Sequence, residues 1–139
     1  MADKVFLLEI VTPQGLVASS EVEEAYLPGS RGDLGILPGH APLLTSLRIG
    51  ELHYRRDKEI FHVTINRGFA EVTPSKTTVL TDTAELAKEI DPARAQAAKT
   101  RAEERLKTLS KDDPTYPQEQ EAFERARMRI QVAEKGSKE

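Results

Sequence analysis

The order of apolar and polar residues divides the chain into two parts with different periodicities. Up to residue 84, short apolar runs alternate with Gly- and Pro-containing turns such as Thr12-Pro13-Gln14-Gly15. Many short strands at even spacing are typical of a β-sandwich of two sheets. The predicted strands lie near residues 4–11, 16–18, 22–27, 34–37, 42–54, 59–66, 68–73 and 76–82.

From residue 91 on, the apolar residues recur at helical spacing. Asp91 is a good N-cap, and Pro92 suits the first helical turn because its missing N–H would be unpaired there. The segment Lys111-Asp112-Asp113-Pro114 ends this helix, and a second helix follows. The pattern therefore predicts an antiparallel α-helical hairpin. Its apolar stripes are Ala95, Ala98, Ala102, Leu106 and Leu109, then Phe123, Ala126, Ile130 and Ala133.

Composition changes at the same place. Residues 1–84 contain 7 of the 8 glycines and 19 charged side chains, whereas residues 85–139 contain 24 charged side chains in a shorter stretch. We therefore predict an N-terminal β-sandwich domain over 1–84, a linker over 85–90 and a helical domain over 91–139.

The stripes of the hairpin consist mostly of alanine. Alanine buries little area, and apolar burial contributes only about 25 cal/mol per Å². The hairpin is therefore expected to dock weakly on the sandwich, so that a ligand or partner moves it at modest cost. A permanently folded helical lid remains the alternative.

Charge and cysteine content exclude several classes of protein. The 139-residue chain has no cysteine, which excludes disulfides, Cys-based zinc sites and thiol nucleophiles. Its formal net charge of −3 argues against nonspecific nucleic-acid binding. Its N-terminal apolar run ends at Glu9, too early for a signal or spanning segment. We expect a protein that works in the compartment where it is made and reaches a membrane only through a partner.

The sequence offers no self-contained catalytic or metal site. His40, His53 and His62 lack a metal-binding spacing, although His53 and His62 are placed to pair across a hairpin. None of the seven serines stands in a Gly-x-Ser-x-Gly elbow, and a phosphate-binding Gly-x-x-x-x-Gly-Lys loop is absent. We predict no catalytic residue and no metal ligand.

The segment 29–45 is dense in glycine and proline. Such a composition favours a fixed surface loop, from which Arg31, Asp33 and His40 would project. The residues by themselves favour a simpler explanation, a structural corner of the sandwich.

Four arginines of the helices form a second candidate site. Arg94 and Arg101 are seven residues apart, and Arg125 and Arg129 are four apart. They are either a solvated charged face or a group that converges on an anion, since guanidinium groups suit phosphate. Spacing alone does not decide between these.

Several segments together resemble the epsilon subunit of bacterial F-type ATP synthase. The resemblance covers nearly the whole chain, and the loop motif is its most specific part. The matching segments are Val11-Thr12-Pro13, the loop from Gly35 to Leu44 (GILPGHAPLL), Gly68-Phe69-Ala70-Glu71-Val72, Val79-Leu80-Thr81-Asp82-Thr83-Ala84 and the helical residues Ala95, Ala98, Lys99, Arg101, Ala102 and Glu103.

This resemblance implies a ten-stranded β-sandwich followed by a two-helix hairpin. It implies a non-catalytic subunit in the rotor, or central stalk, of a proton-translocating ATP synthase. There the sandwich would bind the gamma subunit and rest on the c ring, with Asp33 and His40 as the c-ring contacts. The protein would be peripheral, on the cytoplasmic side of the bacterial inner membrane.

The resemblance also implies a regulatory role. The hairpin would extend toward the alpha and beta subunits and inhibit ATP hydrolysis, and ATP would latch it in the folded position. The family motif Ile-Asp-x-x-Arg-Ala stands intact, with Pro92 inside it. A stand-alone ATP-sensing module and a stand-alone enzyme remain the alternatives. The implied ATP-binding residues are Glu85, Ile90, Asp91, Arg94, Ala95, Arg101, Arg125 and Arg129.

Overall fold

The computed structural model describes residues 4–136 and divides into two compact units. One unit ends at Leu86, and the other begins at Ala87. Each unit is described by itself below.

The first unit is the predicted β-sandwich, built from ten strands. Most predicted strands are confirmed, with ends shifted by a few residues. The strands are β1 (Phe6–Thr12), β2 (Gly15–Val22), β3 (Glu24–Gly29), β4 (Gly32–Ile36), β5 (Leu43–Leu47), β6 (Gly50–Arg56), β7 (Glu59–Ile65), β8 (Gly68–Val72), β9 (Lys76–Thr81) and β10 (Ala84–Leu86).

The segment 42–54, predicted as one strand, is two strands that lie on opposite sides of β3. β5 ends at Leu47 and pairs with β8, whereas β6 pairs with β7. The backbone N–H of Arg48 donates to the Pro28 carbonyl at 2.9 Å, between the two strands. Gly50 then passes so close to Pro28 that a methyl group there would lie 2.7 Å from its Cβ. Periodicity misses the break because the residues that cause it come from β3.

The strands form one hydrogen-bonded sheet that closes over a common core. The strand order is β10-β7-β6-β3-β5-β8-β9-β1-β2, and β4 pairs with the β3 strand. β3 and β5 share only the pair Gly29 and Leu47, so the sheet folds over at this narrow connection. β1 and β9 are parallel.

Alternation along the strands decides which side chains enter the core. In β1, Phe6, Leu8 and Ile10 are buried, while the residues between them are only partly buried. The other strands supply the rest of the core in the same way. The buried core residues include Val22, Leu27, Ile36, Leu52, Val63, Ile65, Val72 and Val79.

The second unit is the predicted helical hairpin. A 3-10 turn (Ala87–Glu89) precedes α1 (Pro92–Thr108) and α2 (Tyr116–Gly136). The helix start at Pro92 is confirmed, because Asp91 Oδ1 accepts hydrogen bonds from the backbone N–H groups of Ala93 (3.0 Å) and Arg94 (3.3 Å). Four alanines of the predicted stripes are buried, namely Ala95, Ala102, Ala126 and Ala133.

The stretch 85–90, expected as a linker, contains regular structure. Glu85 and Leu86 belong to β10, which pairs with β7. Leu86 packs against the sandwich core. Residues 87–89 then form the 3-10 turn of the helical unit.

Candidate functional site

An ion pair with Arg48 holds Asp33 of the glycine-rich segment in place. Asp33 lies on β4, and its Oδ1 accepts a hydrogen bond from Nη2 of Arg48 at 2.6 Å. Nη1 of the same guanidinium donates to the Gly29 carbonyl at 2.7 Å. The Asp33 side chain is still 71% exposed, so it is oriented by Arg48 and remains accessible to a partner.

His40 is fixed by the loop itself. Its ring Nδ1 donates to the Ala41 carbonyl at 2.7 Å, and its backbone N–H donates to the Leu37 carbonyl at 3.1 Å. Gly39 has a φ of +84° and donates its N–H to the Pro74 carbonyl at 2.8 Å, which ties the loop to the β8–β9 turn. Asp33 and His40 are thus positioned by separate hydrogen bonds.

A row of apolar side chains crosses the outer face of five neighbouring strands, β5, β8, β9, β1 and β2. Phe69 of β8 pairs with Leu80 of β9, Leu80 pairs with Val11 of β1, and Val11 pairs with Leu16 of β2. Phe69, Leu80 and Leu16 are each more than half exposed. Leu44 of β5 is 71% exposed and lies beside them, since its pairing partner is two residues from Phe69. We call Leu16, Leu44, Phe69, Leu80 and Val11 the apolar row.

Sequence reasoning placed part of this row in family motifs but did not identify it as a surface. The available signal was the occurrence of a large apolar residue, Phe69 or Leu80, at an outward position of a strand that already buries its inward side chains. Only the pairing of β5, β8, β9, β1 and β2 brings these residues into one row.

Three residues of the Ile-Asp-x-x-Arg-Ala motif have local structural roles. Ile90 is buried against Ala87, Val132 and Ala133. Asp91 caps α1 through Oδ1. Ala95 is fully buried within α1. Part of the motif therefore serves to start and anchor the helical hairpin.

Arg94 has no comparable structural role. Its side chain is exposed, and within residues 4–136 the guanidinium groups of Arg94 and Arg101 make no hydrogen bond or ion pair. Arg125 lies 4.0 Å from Glu121, and Arg129 is partly buried and has an interaction partner.

The contacts between the helices fix the levels of these arginines. Arg105 Nη1 donates to Glu119 Oε1 at 2.9 Å, and the Lys99 ammonium lies 6.0 Å from the Phe123 ring centroid. Because the helices are antiparallel, a residue five positions before Lys99 on α1 lies near the level of a residue about five positions after Phe123 on α2. Arg94 therefore stands near the level of Arg129.

Glu85 lies in the other unit. It belongs to β10, and its backbone N–H donates to Thr64 Oγ1 at 2.9 Å. Glu85 also has a further interaction partner.

His53 and His62 face each other across β6 and β7, as the sequence suggested. Nδ1 of each ring lies 3.4 Å from Glu51 Oε2, and the His53 ring stacks on Tyr26 with centroids 4.8 Å apart. Within residues 4–136, no group of three or more His, Asp or Glu residues is arranged to hold a metal ion.

An open cavity of about 400 Å³ lies near the β6–β7 turn. Its lining includes Glu21, Glu23 and Asp57, together with Ser20 and Arg56. Arg56 Nη1 donates to Ser20 Oγ at 3.0 Å. None of the predicted site residues lines this cavity.

The pKa values that depart from ordinary ones have structural causes. Burial raises the pKa of Tyr54, whose ring stacks on Phe61. Hydrogen bonds to Glu23 and Glu24 raise the pKa of Arg55. These groups lie outside the predicted sites.

Comparison with known proteins assigns the family. The model of the ATP synthase delta/epsilon chain β-sandwich domain matches residues 5–87, and the model of the long α-helix domain of the same chain matches residues 88–134. The chain therefore belongs to the ATP synthase delta/epsilon chain family. No helix within residues 4–136 is long and apolar enough to cross a membrane.

Relatives that match over nearly the whole chain narrow the family assignment from delta/epsilon chains to the epsilon type. The chain is 48% identical to the ATP synthase epsilon chain of Geobacter metallireducens and 50% identical to that of Geotalea uraniireducens, with 99% of both chains covered in each case. The fold resembles a chain in the Euglena gracilis mitochondrial ATP synthase OSCP/F1/c-ring structure, with a TM-score of 0.79 and 19% identity over 100% of this chain and 84% of that one. A chain of the Tetrahymena thermophila mitochondrial ATP synthase central stalk and c-ring structure matches with a TM-score of 0.60 and 12% identity over 98% of both. The chain is thus similar to epsilon subunits over its whole length.

Proposed function

We propose that the protein is a non-catalytic rotor subunit of a proton-translocating F-type ATP synthase. Its sandwich would bind the gamma subunit and rest on the c ring, on the cytoplasmic side of a bacterial inner membrane. Family membership and the apolar row support this proposal. The apolar row is the observation that carries it, because contiguous exposed apolar side chains mark interaction surfaces.

The apolar row suits a partner that must be held firmly. It spans five strands at a spacing of about 4.8 Å, so its side chains stand on a rigid sheet. Burying large apolar side chains contributes about 1.5–3 kcal/mol each. The row thus fits the gamma subunit as a permanent partner.

Co-purification with the gamma subunit tests this assignment. Phe69→Ser together with Leu80→Ser is expected to abolish the complex. Ile60→Ser is the matched control, because Ile60 is similarly exposed but lies on β7 outside the apolar row. Retention of gamma by the double variant would contradict the proposed interface. Failure of the unmodified protein to bind gamma would favour a stand-alone ATP-sensing module.

For the c-ring contact, we propose Asp33 and His40. Both lie in a segment whose hydrogen bonds limit its motion, as transmission of torque requires. Replacing Asp33 and His40 by alanine is expected to weaken ATP-driven proton pumping at unchanged gamma binding. Full coupling in these variants would rule the contact out.

The helical unit is proposed to regulate ATP hydrolysis. When the helical unit extends toward the alpha and beta subunits, it would inhibit ATP hydrolysis. When ATP is bound, the unit would stay folded as a hairpin. Arg94, Arg101, Arg125 and Arg129 would hold the phosphates, with Glu85, Ile90, Asp91 and Ala95 completing or shaping the site. Arg94 is the strongest candidate, since the other motif residues are used for packing and capping. A ligand stabilises the state it binds by about 2.7 kcal/mol at a hundredfold excess over Kd.

Calorimetric titration with ATP tests the ligand. Arg94→Ala is expected to lower the affinity at least tenfold, since it removes a charge-assisted contact. Arg127→Ala is the control, because Arg127 is exposed on α2 and pairs with Glu124 at 2.9 Å. No heat with millimolar ATP would remove ATP from the proposal.

Deletion of residues 88–139 is expected to raise the ATPase activity of the assembled complex, and an unchanged rate would exclude inhibition by this hairpin.

A further inference from the structure

The end of α2 packs against the 3-10 turn that precedes α1. At this contact Gly136 faces Ala87, and a methyl group on Gly136 would lie 2.6 Å from Ala87 Cβ and 3.2 Å from its carbonyl carbon. Cβ and carbonyl carbon are fixed to the backbone and cannot rotate away. Any side chain at position 136 would therefore push α2 off the turn.

An apolar cluster surrounds this contact. Val132 is fully buried, and Ala133, Ile90 and Ala87 are also buried. The backbone N–H of Ile90 donates to the Ala87 carbonyl at 3.3 Å, which gives the turn a defined shape. We call Ala87, Ile90, Val132, Ala133 and Gly136 the latch.

The glycine is not required by the backbone. The φ of Gly136 lies outside the left-handed region that favours glycine. Glycine also disfavours a helix relative to alanine. The close approach to Ala87 is the feature that explains a glycine at this position.

We propose that the latch holds α2 in the hairpin and that its opening is a required step when α2 leaves α1. This inference rests on the proposed mobility of the hairpin. The buried residues between the two helices are mostly alanines, which bury little area. The latch therefore supplies an additional attachment, at the C-terminal end of α2. Release then depends on a contact that lies next to the cap of α1.

Hydrogen exchange in the full chain tests the latch directly. Gly136→Ala is expected to speed exchange of the Val132 and Ala133 amides about tenfold, because an overpacked contact must separate. Helix propensity alone predicts the opposite, since alanine strengthens a helix. The sign of the change therefore distinguishes the two explanations.

A compensating variant completes the test. Ala87→Gly combined with Gly136→Ala moves the methyl group across the contact, and exchange should return most of the way to its original rate. Ala87→Gly alone completes the cycle, and Gln131→Ala, at an exposed position of α2, is the control for helix propensity. Unchanged or slower exchange in Gly136→Ala, or no recovery in the double variant, would overturn the latch.

ATPase activity of the assembled complex separates the latch from the proposed function. With both correct, Gly136→Ala lowers ATP hydrolysis and the double variant restores it. Faster exchange with unchanged hydrolysis would leave the latch in place and contradict regulation by the hairpin.

Discussion

Thr77 places a hydroxyl group in the core of the sandwich. The residue is fully buried between Leu8 of β1 and Val72 of β8, and its Oγ1 has no hydrogen-bond partner within residues 4–136. Thr77→Val keeps the shape and removes an unpaired polar group, so we expect the free energy of unfolding to rise by about 1 kcal/mol. Urea unfolding measures this. Thr78→Val, on the adjacent partly exposed position, should change little, and a loss of stability in Thr77→Val would contradict the account.

Asp113 gives a pH dependence at the loop between the helices. The Thr115 backbone N–H and hydroxyl both donate to Asp113 Oδ1, at 2.8 and 2.7 Å, and lower the pKa of this carboxyl. A lowered folded-state pKa means that the stabilisation is present above the unfolded-state pKa and is lost as the pH falls through the folded value. The Thr115 amide signal in NMR should therefore titrate below the ordinary range of aspartate.

Asp113→Asn is the control for this titration. The amide of Thr115 should lose its acid transition in that variant, since asparagine does not ionise. A transition at or above the ordinary pKa of aspartate in the unmodified protein would disprove the assignment.

The turn between β7 and β8 depends on one glycine. Gly68 has a φ of +138°, and a methyl group there would lie 1.8 Å from the Leu80 carbonyl oxygen of β9. Gly68→Ala is expected to reduce the free energy of unfolding by more than about 3 kcal/mol, since β8 and β9 must separate. Gly15→Ala has a similar φ of +128° with no atom within 4 Å, so it should cost only about 1 kcal/mol. Equal losses of stability for the two variants in thermal unfolding would contradict this account, because they would show that backbone strain alone sets the cost of replacing the glycine.

At the scale of the whole molecule, the core of the sandwich lies entirely before residue 87. All members of that core come from β1 to β10, including Leu86 at its edge. A fragment ending at Leu86 is therefore expected to unfold cooperatively by itself. A fragment ending at Asp82 lacks β10 and its pairing with β7, and should be less stable by about 2 kcal/mol. Circular dichroism during urea unfolding compares the two, and equal midpoints would contradict the role of β10.

Local sequence patterns predicted the start of the helical unit and the loop that carries the family resemblance. The N-cap at Asp91, the start of α1 at Pro92 and the antiparallel hairpin follow from residue type and spacing, and the structure confirms them. The GILPGHAPLL loop carried the family resemblance, and the family comparison confirms it. The roles of Asp33, His40 and the arginines stay predictions, because a ligand or partner contact leaves no periodic trace in one sequence.

The sequence by itself determined the two periodicities, a boundary between residues 84 and 90 and the motif that starts the helices, because each depends on neighbouring residues along the chain. The tertiary structure alone decided the division of 42–54 into β5 and β6 and the addition of β10 beside β7. It also decided the assembly of the apolar row and the contact between Ala87 and Gly136. These features join residues that are distant in sequence, and strand pairing and close packing bring them together without any local signal.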